Sequence, residues 1–256
     1  LSKILEGEPA EILNKLAETL GDFPLALAQA AGYIKMNPSI NVKTYLELFK
    51  EGHADLWNAE EKFEKGEKPS HSFKESYRKT ISTAIRMNME SIKDRSHLAY
   101  DLLCFCSLLH SQHIPSEILE NWACTRRGAS KLEFHEALSL LLNHFLLEKE
   151  IKSEEKIVSN LFNQHELIQL IIADAIDEDV RGMILKEAAE SFLQELANSS
   201  DTLLEQFKGK EHFYNHMEKI CHLAEELGYQ DKKIRELRIA LLYFVHFIQR
   251  NFDRSS

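Results

Sequence analysis

Leu16-Ala17-Glu18-Thr19-Leu20-Gly21-Asp22-Phe23-Pro24-Leu25-Ala26-Leu27, continued by Ala28-Gln29-Ala30-Ala31-Gly32-Tyr33-Ile34, sets how the rest of the chain is parsed. A helix runs into Gly21, a short turn follows, and Pro24 opens a second helix. Glycine suits the left-handed residue just past a helix end, and proline at a first helical position forfeits no intrahelical bond. The second helix carries the small residues Ala26, Ala28, Ala30, Ala31 and Gly32, which let neighbouring backbone come close. The same pattern also makes an ordinary joint between two helices.

Outward from this joint the composition is that of a mostly helical protein. Only 9 Gly and 5 Pro occur in 256 residues, and 44% of the residues are hydrophobic, enough for a sizeable core. The chain is therefore expected to be mainly α, with a small helical domain at residues 1–52, a linker at 53–71, a winged-helix domain with one β-hairpin at 72–180, and a helical arm at 181–256. Apolar positions recur at helical spacing from Ser72, through His97–Leu109, and from Phe134 to Phe145, while Pro115 opens a helix carrying Leu119 and Trp122. Phe145–Glu148 and Ile157–Phe162 read instead as short strands around the charged tip Lys152-Ser153-Glu154-Glu155-Lys156. Helices followed by a charged-tip hairpin are the order of a winged helix. Beyond residue 180 three helices are expected, Met183–Leu196, Phe213–Leu227 and Ile234–Phe252, with an apolar end face around Phe244, Phe247 and Ile248.

Charge and cysteine usage narrow the partners. With 31 Lys plus Arg against 41 Asp plus Glu, the net charge of -10 repels nucleic-acid backbones and anionic membranes. The reading is a cytoplasmic protein that binds neither nucleic acid nor membrane and whose partner is another protein. The four cysteines, Cys104, Cys106, Cys124 and Cys221, follow no metal or disulfide pattern, and Cys104 and Cys106 sit in an apolar run as core residues.

The ordered series of short motifs resembles the NB-ARC domain of the STAND signal-transduction ATPases. Gly21 to Ala26 resembles that family's glycine-to-proline turn, Asp101–Leu109 followed by Ile114-Pro115 resembles its core helix and Ile-Pro entry, and Phe162-Asn163-Gln164-His165-Glu166-Leu167 resembles its Met-His-Asp segment. Gln164 stands where Met is usual, and Glu166 where Asp or Arg is. The resemblance implies that Pro24 touches an adenine and that His165 binds the β-phosphate of ADP, holding a closed state. It also implies that Tyr214–Leu227 and Ile234–Val245 form the helical arm that precedes tetratricopeptide repeats.

No Gly-x-x-x-x-Gly-Lys-Ser/Thr loop occurs in the chain, so no cofactor is expected to be held by it alone; ADP or ATP would be held only by a full-length protein that supplies the loop. The chain starts at Leu1 inside a helical pattern and is read as the C-terminal part of a longer protein. Its expected role is a regulatory and interaction segment of a nucleotide-dependent switch. The alternative, from another class, is a helical protein-protein interaction scaffold without the switch.

Other chemistry finds less support. No nucleophile with its base is spaced for catalysis, so the chain is not expected to be an enzyme by itself. His110 with His113, and His212 with His216, have spacings that a metal site could use, but neither pair has the Glu of a metalloprotease helix. A DNA-reading helix would be Lys131–His144, yet it carries Glu133 and Glu136 against Lys131, with Arg126-Arg127 as the one nearby basic cluster.

Overall fold

A computed structural model describes Leu5 and residues 7–63, 73–150, 160–198 and 212–253. Among these residues the chain is mainly helical: α1 Ala10–Thr19, α2 Pro24–Met36, α3 Val42–Phe63, α4 Phe73–Arg95, α5 His97–Ser107, α6 Ser116–Arg126, α7 Lys131–Asn143, α8 Glu166–Ala175, α9 Glu178–Ala197, α10 Phe213–Glu226 and α11 Lys232–Asp253. A small antiparallel sheet is formed by β1 Ile114–Pro115, β2 Glu148–Lys149 and β3 Leu161–Asn163. The chain divides into two compact units, the first Leu1–Tyr100 with Ser139–Leu146, the second Asp101–Leu138 with Leu147–Ser256.

In the first unit α2 and α3 both pack on α4, and α1 packs on α3. The α1–α2 joint has the expected form. Gly21 and Asp22 adopt left-handed φ of 65° and 57°, and Pro24 is the first residue of α2. A side chain on Gly21 would strain the left-handed backbone, and the Phe23 ring, 2.8 Å from an added Cβ, would have to move aside. Gly32, on α2, faces the backbone of His144: an added Cβ would lie 3.0 Å from its Cα and 3.1 Å from its carbonyl. The small residues of α2 thus serve close backbone packing.

That contact surrounds a buried polar cluster. Gln29 Nε2 donates to the carbonyl of Phe145 at 2.9 Å, and Asn88 Nδ2 donates to the carbonyls of Gln29 and Ala84 at 3.0 Å each. With its amide N–H groups committed, Asn88 presents Oδ1 to His144 Nδ1 at 2.5 Å, which puts the imidazole proton on Nδ1. His144 Nε2 and Gln29 Oε1 are buried without a hydrogen-bond partner among the described residues. Burial, then the nearby Arg95 charge, pushes the His144 pKa down to about 4.

Helix α3 runs on to Phe63, so residues 53–63 of the expected linker are helical; residues 64–72 lie outside the described residues. No Gly or Pro interrupts the chain between Gly52 and Gly66, and Ala, Leu, Glu and Lys supply strong helix propensity there.

In the second unit β3 is the central strand. It pairs with β1 through Ile114↔Phe162 and Pro115↔Leu161, and with β2 through Glu148↔Asn163 and Lys149↔Phe162. Pro115 lacks a donor and sits on an edge strand, where that lack is tolerated, and it also caps α6. The expected hairpin is present as the β2–β3 pair, but its first strand starts at Glu148 rather than Phe145. Phe145 has a left-handed φ of 54° and belongs to a turn. Ile157–Ser159 and the charged tip lie outside the described residues.

Phe105 packs on Trp122 with ring centroids 4.5 Å apart, and Phe192 meets Phe213 edge-on at 5.0 Å. Helix α9 packs on α6, α10 and α11. The expected apolar end face differs at Phe244, which is buried beside Tyr214. Ile234, Leu237 and Phe244 share the inward face of α11, and the opposite turn exposes Ile239, Leu242 and Tyr243 instead. The side chains of Phe247 and Ile248 lie outside the described residues. No described helix is long and apolar enough to cross a membrane.

Candidate functional site

Pro24 is exposed at the first position of α2, in the first unit. His165 is exposed at the N-cap of α8, in the second. Strand β3 delivers it there directly. Asn163 Oδ1 accepts the His113 N–H at 2.9 Å, the Gln164 N–H donates to the Ser111 carbonyl at 2.8 Å, and the chain then turns into the helix.

His165 Nδ1 accepts the Leu167 N–H at 3.1 Å and so satisfies one of the orphan donors of the first turn. An accepting Nδ1 carries no proton in the neutral ring, so Nε2 is the donor. The residue therefore combines a ring N–H with the positive end of a helix, the two features that attract an anion. Gln164, where the resembled family has Met, is buried, and neither of its side-chain polar atoms has a partner among the described residues. An apolar residue would fit that position without orphaned groups.

Of the four histidines with metal-like spacing, His216 and His113 have side-chain hydrogen bonds across the fold. His216 is buried on α10; its Nδ1 accepts the His110 N–H at 3.1 Å and its Nε2–H donates to the His113 carbonyl at 2.9 Å. Both ring nitrogens are thereby committed to backbone. Burial lowers its pKa to about 3, and the neutral ring lies nearly parallel to Phe192, with centroids 5.7 Å apart. His113 Nδ1 meets Glu150 Oε2 at 2.8 Å, and His212 Nε2 lies 3.9 Å from Glu117. Among the described residues no three His, Cys, Asp or Glu side chains are grouped to hold a metal ion.

The basic pair before α7 faces carboxylates. Arg126 bonds to Glu190; Arg127 bonds to Asp101 at 2.7 Å and Glu187 at 3.2 Å, and its guanidinium stacks 4.4 Å from the Trp122 ring centre. Trp122 Nε1–H donates to the same Glu187 at 2.9 Å. On α7 itself Ser130 and Glu133 form a reciprocal capping box, and Lys131 pairs with Glu120 at 2.9 Å. Leu132, Glu133, His135, Glu136 and Ser139 are exposed on that helix along with Lys131 and Asn143, whose Nδ2 donates to the Ser139 carbonyl at 2.8 Å, so its two donors suited to base edges are both engaged within the fold.

A cleft of about 400 Å³ opens in the second unit over one face of α8, lined by Gln169, Leu170 and Ala173 of that helix, Lys219 and Leu223 of α10, and Leu108, among others. Gln169 Nε2 donates to the carbonyls of Cys106 and Leu109 at 3.0 Å each, and its Oε1 accepts from Lys219 Nζ at 2.8 Å. Burial lowers the Lys219 pKa, the Glu166 charge opposing it. Sequence reasoning missed this site. Its one local signal is a glutamine inside the apolar run Leu167-Ile168-Gln169-Leu170-Ile171-Ile172, which demands partners that only the fold supplies.

No protein-family model matches the chain, and no curated protein matches it either.

Proposed function

We propose that this chain is the regulatory and interaction segment of a STAND-type nucleotide-dependent switch, acting with a phosphate-binding loop supplied by another segment. The observation that carries the reading is His165: exposed, seated at the N-cap of α8 immediately after β3, with Nδ1 taken by the Leu167 N–H and Nε2–H left as the donor. A phosphate oxygen there would meet both the imidazole N–H and the positive end of the helix. Two further features support it. The order α5, β1, α6, α7, β2, β3 with sheet order β1-β3-β2 is the one expected for a winged helix, and Pro24 opens α2 after a left-handed Gly21-Asp22 turn.

In this reading ADP favours the closed state through differential contacts, partner engagement releases it, and the chain performs no hydrolysis by itself. The protein works in the cytoplasm through a protein partner. It does not read DNA, since Arg126 and Arg127 are committed to carboxylates and Lys131, the one Lys or Arg of α7, pairs with Glu120.

The test is ADP release from the protein that carries both this chain and a phosphate loop. His165→Ala is expected to speed release about ten- to a hundred-fold, the worth of one charge-assisted hydrogen bond, with Pro24→Ala acting in the same direction but less. Equal release rates at unchanged melting temperature would leave His165 as a helix cap and favour the interaction scaffold, to which the exposed Ile239, Leu242 and Tyr243 would then contribute.

A further inference from the structure

The cleft over α8 has an uneven lining. Leu108, Leu170, Ala173 and Leu223 make most of its surface apolar, and its volume of about 400 Å³ lies within the range of small-molecule sites. Its ionic groups are Lys219 and Arg181 against one carboxylate, Glu166. Arg181 Nη2 donates to the carbonyls of Ala173 and Ile176 at 2.7 and 3.1 Å, closing the end of α8, and its Nε is buried without a partner among the described residues. The Glu166 carboxylate accepts from Ser111 Oγ at 3.4 Å.

Lys219 is held in place. The Gln169 amide cannot flip, because both its N–H groups serve the carbonyls of Cys106 and Leu109, so Oε1 must face the ammonium. An ammonium has three donors, and one goes to Gln169. Among the described residues no carboxylate forms an ion pair with it. A fixed, half-buried cation on the wall of an apolar cleft favours a ligand that brings one negative charge and an apolar body.

We propose that this cleft binds a small anionic amphiphile, its single carboxylate bonded to Lys219 Nζ and its apolar chain lying along Leu170, Ala173 and Leu223. The proposal is independent of the switch reading, because it uses neither Pro24 nor His165.

Calorimetry with octanoate and with 1-octanol on the full chain tests it. Octanoate is expected to bind one to one and octanol at least about ten-fold more weakly. Lys219→Met keeps the apolar stem and should weaken octanoate about ten- to a hundred-fold, leaving octanol unchanged. Because that variant also deprives Gln169 of a donor, Leu170→Asp provides a second arm. Leu170 is 50% exposed, so a carboxylate there should abolish octanoate binding at unchanged melting temperature. Octanoate and octanol binding equally, neither binding, or octanoate affinity surviving in both variants would each overturn the proposal.

Discussion

The imidazole of His216 donates from Nε2 to the carbonyl oxygen of His113 at 2.9 Å, across more than a hundred residues of sequence. Its other nitrogen accepts the His110 N–H, so one neutral side chain closes both ends of the 110–113 loop, which leads straight into β1. Sheet and loop are thus held from α10. Removing the ring would orphan a half-buried donor and an acceptor and open a cavity beside Phe192. His216→Ala is expected to destabilise the chain by about 3 kcal/mol or more, read as a lowered urea midpoint at unchanged slope. A loss below about 1 kcal/mol would mean that the loop finds other partners.

Acid should unfold the protein through the same ring and His144. An unfolded histidine titrates near 6.5, whereas in the fold burial holds His144 down to about 4 and His216 to about 3. Between those values the unfolded chain takes up protons that the fold refuses. The stability is therefore whole above about pH 7 and falls as pH drops, by about 1.4 kcal/mol per pH unit for each histidine in the window. Urea midpoints at pH 8, 7, 6 and 5 measure this, and His144→Gln should flatten the slope by about half. A midpoint independent of pH down to 5 would contradict the neutral burial of both rings.

Gly32→Ala sets two effects against each other. Alanine raises helix propensity by about 1 kcal/mol, but the new methyl meets backbone atoms of His144 at 3.0 to 3.1 Å, which cannot rotate away. Overpacking of this kind costs about 1 to 3 kcal/mol, so the net change should be destabilising by about 1 kcal/mol in thermal melts. A stabilised variant would show that the 144–145 turn can retreat.

Arg127→Lys keeps the charge and should still weaken the second unit. The guanidinium bonds Asp101 and Glu187 together while stacking on Trp122, and an ammonium cannot reproduce that planar geometry. A loss of about 1 to 2 kcal/mol is expected in chemical denaturation. Full stability in the lysine variant would reduce the contact to simple charge balance.

What could be read from the chain was local. The Gly21–Pro24 joint, the helical periodicity and the β2–β3 hairpin each follow from neighbouring residues, because turn chemistry and amphipathic spacing act over a few positions. Pairings across long sequence distances were not legible. His212 and His216 share a spacing, yet His216 turns to the 110–113 loop while His212 lies near Glu117. Gln29, Asn88 and Gln169 donate to carbonyls far away in the sequence, partners that neighbouring residues do not display. Phe145 read as a strand because its apolar neighbours outweigh a left-handed φ that sequence does not display.

Gln29 and Asn88 also bear on how the chain can be divided. Their partners, Phe145 and His144, belong to the first unit but are encoded far downstream of it. A fragment ending at Tyr100 would leave both amides facing an empty seat and Gly32 without the backbone it was shaped to meet. A single crossover in the gene cannot exchange one unit for another of different ancestry, and the whole stretch through Leu146 has to be inherited together.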